Sequence, residues 1–498
     1  MNVNPITRLD YPDLDVIRVE DTYYMVSTTM HFMPGCEILQ SFDLVHWEHV
    51  TYVYETLDHT DAQQLKSGQN IYGQGMWAAS LRYHEGRFYI CFVANDTRKT
   101  YLYTSEKIDG PWKKQLIEGF YHDGSLLFDE DGRSYIVYGN DEIWITELNE
   151  DLTAPKKDGL HRLLVSDHKN PELGYEGSHI QKINGYYYIF LVHSLRDRWM
   201  RTEACFYSDS LEGEFTGGDV LCDDRGYCGQ GVAQGGIVDT PDGKWYAMLF
   251  QDSGAVGRLP ILLPVTWKDH FPFFGQNGHV PEEIEVHSTR PGYIYQPLVG
   301  SDDFCNGLLP RWQFNHDPDP RYYHLDALQG TYTITTREVC TELTQAVNTL
   351  TQRMSYPSCA AEVTVDASAL KEGDVAGLCA LQSCYAAVGI TKHHGKYEVL
   401  MLDKKEDGIL DMTEGTVVES HQMDFRLEAD FCNMKDEARC YYRVNKGDWL
   451  PIGTVHKLYF KLDHFTGCRF GLFCYAAEET GGSACFRDFK YYDVDEIS

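Results

Sequence analysis

Two carboxylates facing each other across a pocket can divide acid and base work, provided their surroundings push their pKa values apart. This sequence offers three at equivalent places. The strings VIRVEDTYYMV, LRYHEGRFYIC, LLFDEDGRSYIV, IQKINGYYYIF and IVDTPDGKWYAML are five copies of one hairpin, with turn centres at Asp21, Glu85, Asp131, Asn184 and Asp242. Eight residues before those centres stand Asp13, Trp77, Asp123, Glu176 and Gln234. An aspartate ahead of a strand is commonly a turn residue, but turn formation does not explain three carboxylates at one offset. A third negative charge raises the pKa of its nearest neighbour, which helps to separate acid from base. Trp77 supplies an apolar wall suited to a sugar ring, and Phe32 adds to it. Asp10 and Asp15 compete with Asp13, and Asp15 shares its strand face; the fixed offset selects Asp13.

Such a group works only if the fold brings the five positions together. Successive turn centres lie roughly 45 to 65 residues apart, the range of four-stranded propeller blades with some long loops. A second signature follows the hairpins: SFDLVHW at 41–47, SEKIDGPW at 105–112, SDSLEGEF at 208–215 and, more weakly, TELNEDL at 146–152. Residues 1–295 are therefore expected to form a five-bladed β-propeller, in which the innermost strands converge on one funnel. Near 295 the segment HSTRPGYIYQPLVGSDDF has linker composition and the repeat ends. Beyond it AAEVTVDA, KYEVLMLD and HKLYFKLDH alternate with period two. Residues 296–498 are thus expected to be this linker and a C-terminal β-sandwich, making the whole chain all-β.

Composition agrees. Of 498 residues, 43% are hydrophobic and 13% aromatic, with 34 Tyr and 43 Gly, as in a folded, turn-rich β protein. A net charge of −32 argues against nucleic acid and anionic membranes as partners. No apolar run approaches the length of a transmembrane helix. The N-terminal MNVNPITRLDYPDLD lacks a secretory pattern, and the fifteen Cys show no CxxC or zinc spacing, so reduced thiols in a cytoplasm are expected. Cys36, Cys91 and Cys205 lie in apolar strands and are expected in the core.

Five strings, YPDLDVIR, MWAASLRY, HDGSLLFDEDG, YEGSHIQKINGYYYIF and DTPDGKWYAMLFQDSGAVGR, together resemble glycoside hydrolase family 43, most closely its arabinofuranosidase and β-xylosidase branch. The resemblance spans nearly the whole chain. It implies that Asp13 is the general base, Glu176 the general acid and Asp123 the carboxylate that orients the acid and raises its pKa, while Arg258 binds substrate. It implies inversion, which needs roughly 6.5 to 9.5 Å between acid and base. It also implies a central metal, usually calcium, held through waters by a histidine at the position of Gln234; the carbonyl oxygen of Gln can still meet a hydrated cation. Ser253 stands where the resemblance leads one to expect histidine. The activity implied is exo-acting release of terminal α-L-arabinofuranosyl, and with it β-D-xylosyl, residues from arabinoxylan-derived oligosaccharides, with no cofactor in the chemistry itself. Alternatives are a predominant β-xylosidase, an endo-acting arabinanase that needs an open groove, or a silent sugar-binding module.

Overall fold

The computed structural model describes residues 3–413 and 415–493. Five four-stranded antiparallel sheets follow one another: Asp15–Val19 to Glu48–Tyr54, Met76–His84 to Lys113–Ile117, Ser125–Phe128 to His161–Ser166, Glu176–Ile183 to Thr216–Leu221, and Val232–Asp239 to Phe271–Phe274. They are the blades of a five-bladed propeller. The second strand of each blade reads as an apolar run, such as Tyr186–Ser194, because neighbouring blades cover it on both faces. Five apolar clusters mark the five contacts between blades. That joining the last to the first places Val16 and Met25 against Val238, Met248 and Leu262. The N-terminal segment closes the ring: Ile6 N donates to Pro260 O (3.0 Å) and Tyr11 N to Arg258 O (3.1 Å) on the third strand of blade five. Cys36, Cys91 and Cys205 are buried, and burial alone pushes the Cys91 thiol up to about 12.

Two sheets form a C-terminal β-sandwich around one core that includes Phe425, Leu427, Phe470 and Phe486. One of them takes a short strand from the propeller: Phe32–Met33 pairs with Gln313–Asn315. Phe32 is therefore 2% exposed, packed against the sandwich with the Arg469 guanidinium 3.4 Å above its ring, and it lines no funnel wall. A buried ion pair crosses the same interface, Arg353 Nη1 to Glu37 Oε2 at 2.9 Å. Burial opposes the charge on Glu37, but Arg353 and His49 hold its pKa down to about 2. Replacing either partner by a neutral residue would leave the other charge buried and unpaired at this interface.

Candidate active site

Every blade begins its innermost strand in the same unusual way. The residue eight places before the second residue of a two-residue hairpin turn, or before the middle of a five-residue one, has positive φ: Asp13 (51°), Ala78 (20°), Asp123 (47°), Gly177 (66°) and Gln234 (64°). Left-handed backbone is uncommon outside glycine and gathers at functional sites. In blades two, four and five the register shifts there, between Trp77 and Ser80, Glu176 and His179, and Ala233 and Gly236. The positions equivalent to Asp13, Asp123 and Gln234 are thus Ala78 and Gly177. Trp77 and Glu176 sit one residue earlier, level with Pro12, His122 and Ala233. The common eight-residue offset is off by one in blades two and four, because Glu85 and Asn184 are the first and not the second residues of their two-residue turns.

Two rings of residues result, and they meet in one funnel. Asp13 accepts from Arg258 Nη1 (3.0 Å) and Thr28 Oγ1 (2.6 Å). Thr28 Oγ1 also accepts from Ala78 N (2.8 Å), tying blade one to blade two. Arg258 is 1% exposed and its guanidinium lies 4.2 Å from the Phe465 ring, which belongs to the sandwich. Phe465 also approaches Trp77, with ring centres 5.5 Å apart, so the second domain walls one side of the funnel.

Opposite lies the second group. Asp123 Oδ2 accepts from Gly177 N at 3.1 Å and so fixes the backbone next to Glu176. Glu176 Oε2 accepts from Asn140 Nδ2 at 2.8 Å. His122 Nε2 lies 3.7 Å from Asp123 Oδ2 and 3.8 Å from Glu176 Oε2. Burial is the main cause that lifts the pKa of Asp123, to about 6; His122 opposes the rise, and Glu176 and Asp13 add to it. The charge of Asp123 in turn raises His122 to about 9 despite burial, with Glu176 and Asp13 contributing. At neutral pH the cation of this group is the His122 imidazolium.

The rival aspartates are already occupied. Asp15 is 1% exposed, with Arg82 Nη1 2.7 Å from Oδ2 and His179 Nδ1 3.2 Å from Oδ1. Burial opposes its charge, but the Arg82 guanidinium and the hydrogen bond with the His179 ring hold its pKa down to about 2. Asp10 accepts from the backbone of Arg258 (2.8 Å) and of Gly467 (2.7 Å), fastening the sandwich loop beside the funnel.

The family comparison settles what this arrangement belongs to. Residues 3–272 match the model of the glycosyl hydrolases family 43, and residues 301–492 match the β-xylosidase C-terminal concanavalin A-like domain. The chain belongs to glycosyl hydrolase family 43. It is therefore a glycoside hydrolase. It is 26% identical to a β-xylosidase of Formosa agariphila, over 99% of this chain and 89% of that one. It is 24% identical to a non-reducing-end α-L-arabinofuranosidase of Bacteroides ovatus, covering 82% and 79%. Among solved structures, a bifunctional family 43–CE protein of Bacteroides eggerthii superposes with a TM-score of 0.93 at 42% identity; 99% of this chain covers 64% of that longer one. An engineered family 43 enzyme displaying both endo-xylanase and exo-arabinofuranosidase activity superposes with a TM-score of 0.86 at 27% identity over 99% of both chains.

Gln234 lies where the resemblance implies a calcium contact. Its side chain packs against Gly177, whose added Cβ would stand 2.8 Å from Gln234 Cγ, and it lines a small central cavity with Asp13, Asp15, Asp123 and His179. Asp15 is spent on Arg82 and His179, and the carbonyl oxygen of Gln234 is a neutral donor of the kind that can meet a hydrated ion. Four contributors escaped the sequence reading: His122, Thr28, Asn140 and Phe465. His122 had a signal, since it precedes Asp123 as Trp77 precedes Ala78 once the hairpins are aligned on Gly86 and Gly185. Phe465, more than 450 residues from Asp13 in the chain, had none.

Proposed function

We propose that this enzyme is an inverting, exo-acting pentosidase that removes terminal α-L-arabinofuranosyl, and with them β-D-xylosyl, residues from arabinoxylan-derived oligosaccharides. The observation that carries this reading is the asymmetry of the funnel: a carboxylate held by Arg258 and Thr28 on blade one faces a carboxyl on blade four that is flanked by Asp123 and His122. Glu176 protonates the leaving oxygen as the bond to the anomeric carbon breaks. Asp13 takes a proton from the water that attacks the opposite face, and Arg258 holds it in place. Asp123 positions the acid through Gly177 N, and Trp77 forms an apolar wall for the sugar. Exo action is supported by Phe465, which closes one side where a long chain would need a through-groove. The curated relatives named as β-xylosidase and α-L-arabinofuranosidase support a pentose substrate.

The test is hydrolysis of 4-nitrophenyl α-L-arabinofuranoside and β-D-xyloside, with proton NMR of the first-formed sugar. The expected result is turnover of both, faster on the arabinofuranoside, with inverted product. Retained configuration would overturn the mechanism, and release of only internal fragments from arabino-oligosaccharides would replace exo by endo action.

A further inference from the structure

His122 has no place in the three-carboxylate scheme, yet it stands at the centre of the acid side. Its Nε2 is buried, lies 3.7 Å from Asp123 and 3.8 Å from Glu176, and has no hydrogen-bond partner. Both distances exceed a hydrogen bond. A buried N–H left unmade is costly, and here it points between the acid and its positioning carboxylate. The charged groups facing it are Asp123 on its own blade, Glu176 from blade four and Asp13 from blade one. The Trp77 ring, 6.1 Å away, bounds the same space on the blade-two side.

We infer that His122 is a substrate-reading residue: its ring donates from Nε2 to the pentose hydroxyl next to the anomeric carbon. This rests on the pentosidase reading above. The geometry selects that hydroxyl. Glu176 must reach the glycosidic oxygen, and a donor less than 4 Å from the acid oxygen meets the oxygen on the adjacent ring carbon. Hydrogen bonds to this hydroxyl strengthen as the oxocarbenium-like transition state forms, so the contact belongs more to kcat than to KM.

The experiment compares wild type, His122→Phe and His122→Gln on the 4-nitrophenyl pentosides and on their 2-deoxy-2-fluoro analogues, with thermal unfolding to confirm folding. Wild-type turnover of the parent glycosides tests the pentosidase reading by itself. His122→Phe should lose about 10- to 100-fold in kcat/KM on the parents, mainly in kcat, but less than about threefold on the fluoro analogues. His122→Gln, a neutral donor, should recover part of the first loss. The acid limb of the pH profile should move upward in both variants, because Asp123 loses its opposing cation. An active wild type with His122→Phe within threefold of it overturns the inference, as does an equal loss on parent and fluoro substrates with an unmoved acid limb.

Discussion

The base side and the acid side of the funnel both bury a carboxylate, but they offset its charge with different cations. Asp13 faces an arginine, a permanent cation in a fixed fork, itself clamped between Asp13 and the Phe465 ring. Asp123 and Glu176 face an imidazolium, a cation that leaves when its proton does. A base that needs one orientation is served by the permanent partner. An acid that must give up and regain a proton is served by a neighbour whose charge responds to pH.

The sharpest way to break this comparison is to remove the two carboxyl functions separately. Asp13→Asn and Glu176→Gln should each cost about 10³-fold or more in kcat/KM on nitrophenyl glycosides. Their dependence on the leaving group should differ. With a dinitrophenyl leaving group, which needs no proton, Glu176→Gln should regain about 10²-fold and Asp13→Asn almost nothing. The reverse pattern would exchange the two assignments.

The second test needs no mutation. Wild-type kcat/KM should fall about tenfold per unit below about pH 6, where Asp123 takes up a proton and loosens its hold on Gly177 N. Stability should follow both Asp123 and His122. The pKa of His122 is raised from 6.5, so its contribution is complete below that value and is lost as pH rises through about 9. That of Asp123 is raised from 3.8, so the folded state is penalised as pH rises through about 6. Asp123→Asn should therefore be more stable than wild type at pH 8, by about 2 kcal/mol in denaturant titrations, and lose that advantage near pH 4. A stability difference between wild type and Asp123→Asn that stays constant from pH 4 to pH 8 would sink this assignment.

The contrast between the two sides also marks what the sequence can disclose. Asp13, Asp123 and Glu176 were legible because each blade repeats a hairpin, and a repeat turns residues distant in sequence into ring neighbours. The register was legible only to one residue. Turns of two residues in blades one, two and four, and of five in blades three and five, have no shared centre until strand pairing is known. That single step hid His122 among ordinary loop residues. Phe32 failed for another reason: apolar character does not tell a funnel wall from a domain seam, and its two-residue strand pairs with a partner near residue 314. Contacts made only when two domains dock have no local pattern.

The smallest effect is expected where those domains meet. Phe465→Ala removes the ring that stacks on Arg258 and faces Trp77 while leaving the Arg258–Asp13 contact in place. A cation–π contact of this kind is worth a few-fold to about 30-fold in affinity. Phe465 also carries the backbone oxygen that accepts from Arg258 Nη2 at 3.3 Å, a bond that survives the substitution. The loss should therefore fall at the low end, about fivefold, and appear in KM rather than kcat, since Phe465 touches neither the water nor the leaving oxygen. Opening that wall should at the same time raise the rate on longer oligosaccharides relative to the nitrophenyl glycosides. A fall in kcat with no change in chain-length preference would instead mean that the sandwich acts on the base through Arg258, making the permanent cation as dependent on its surroundings as the titratable one.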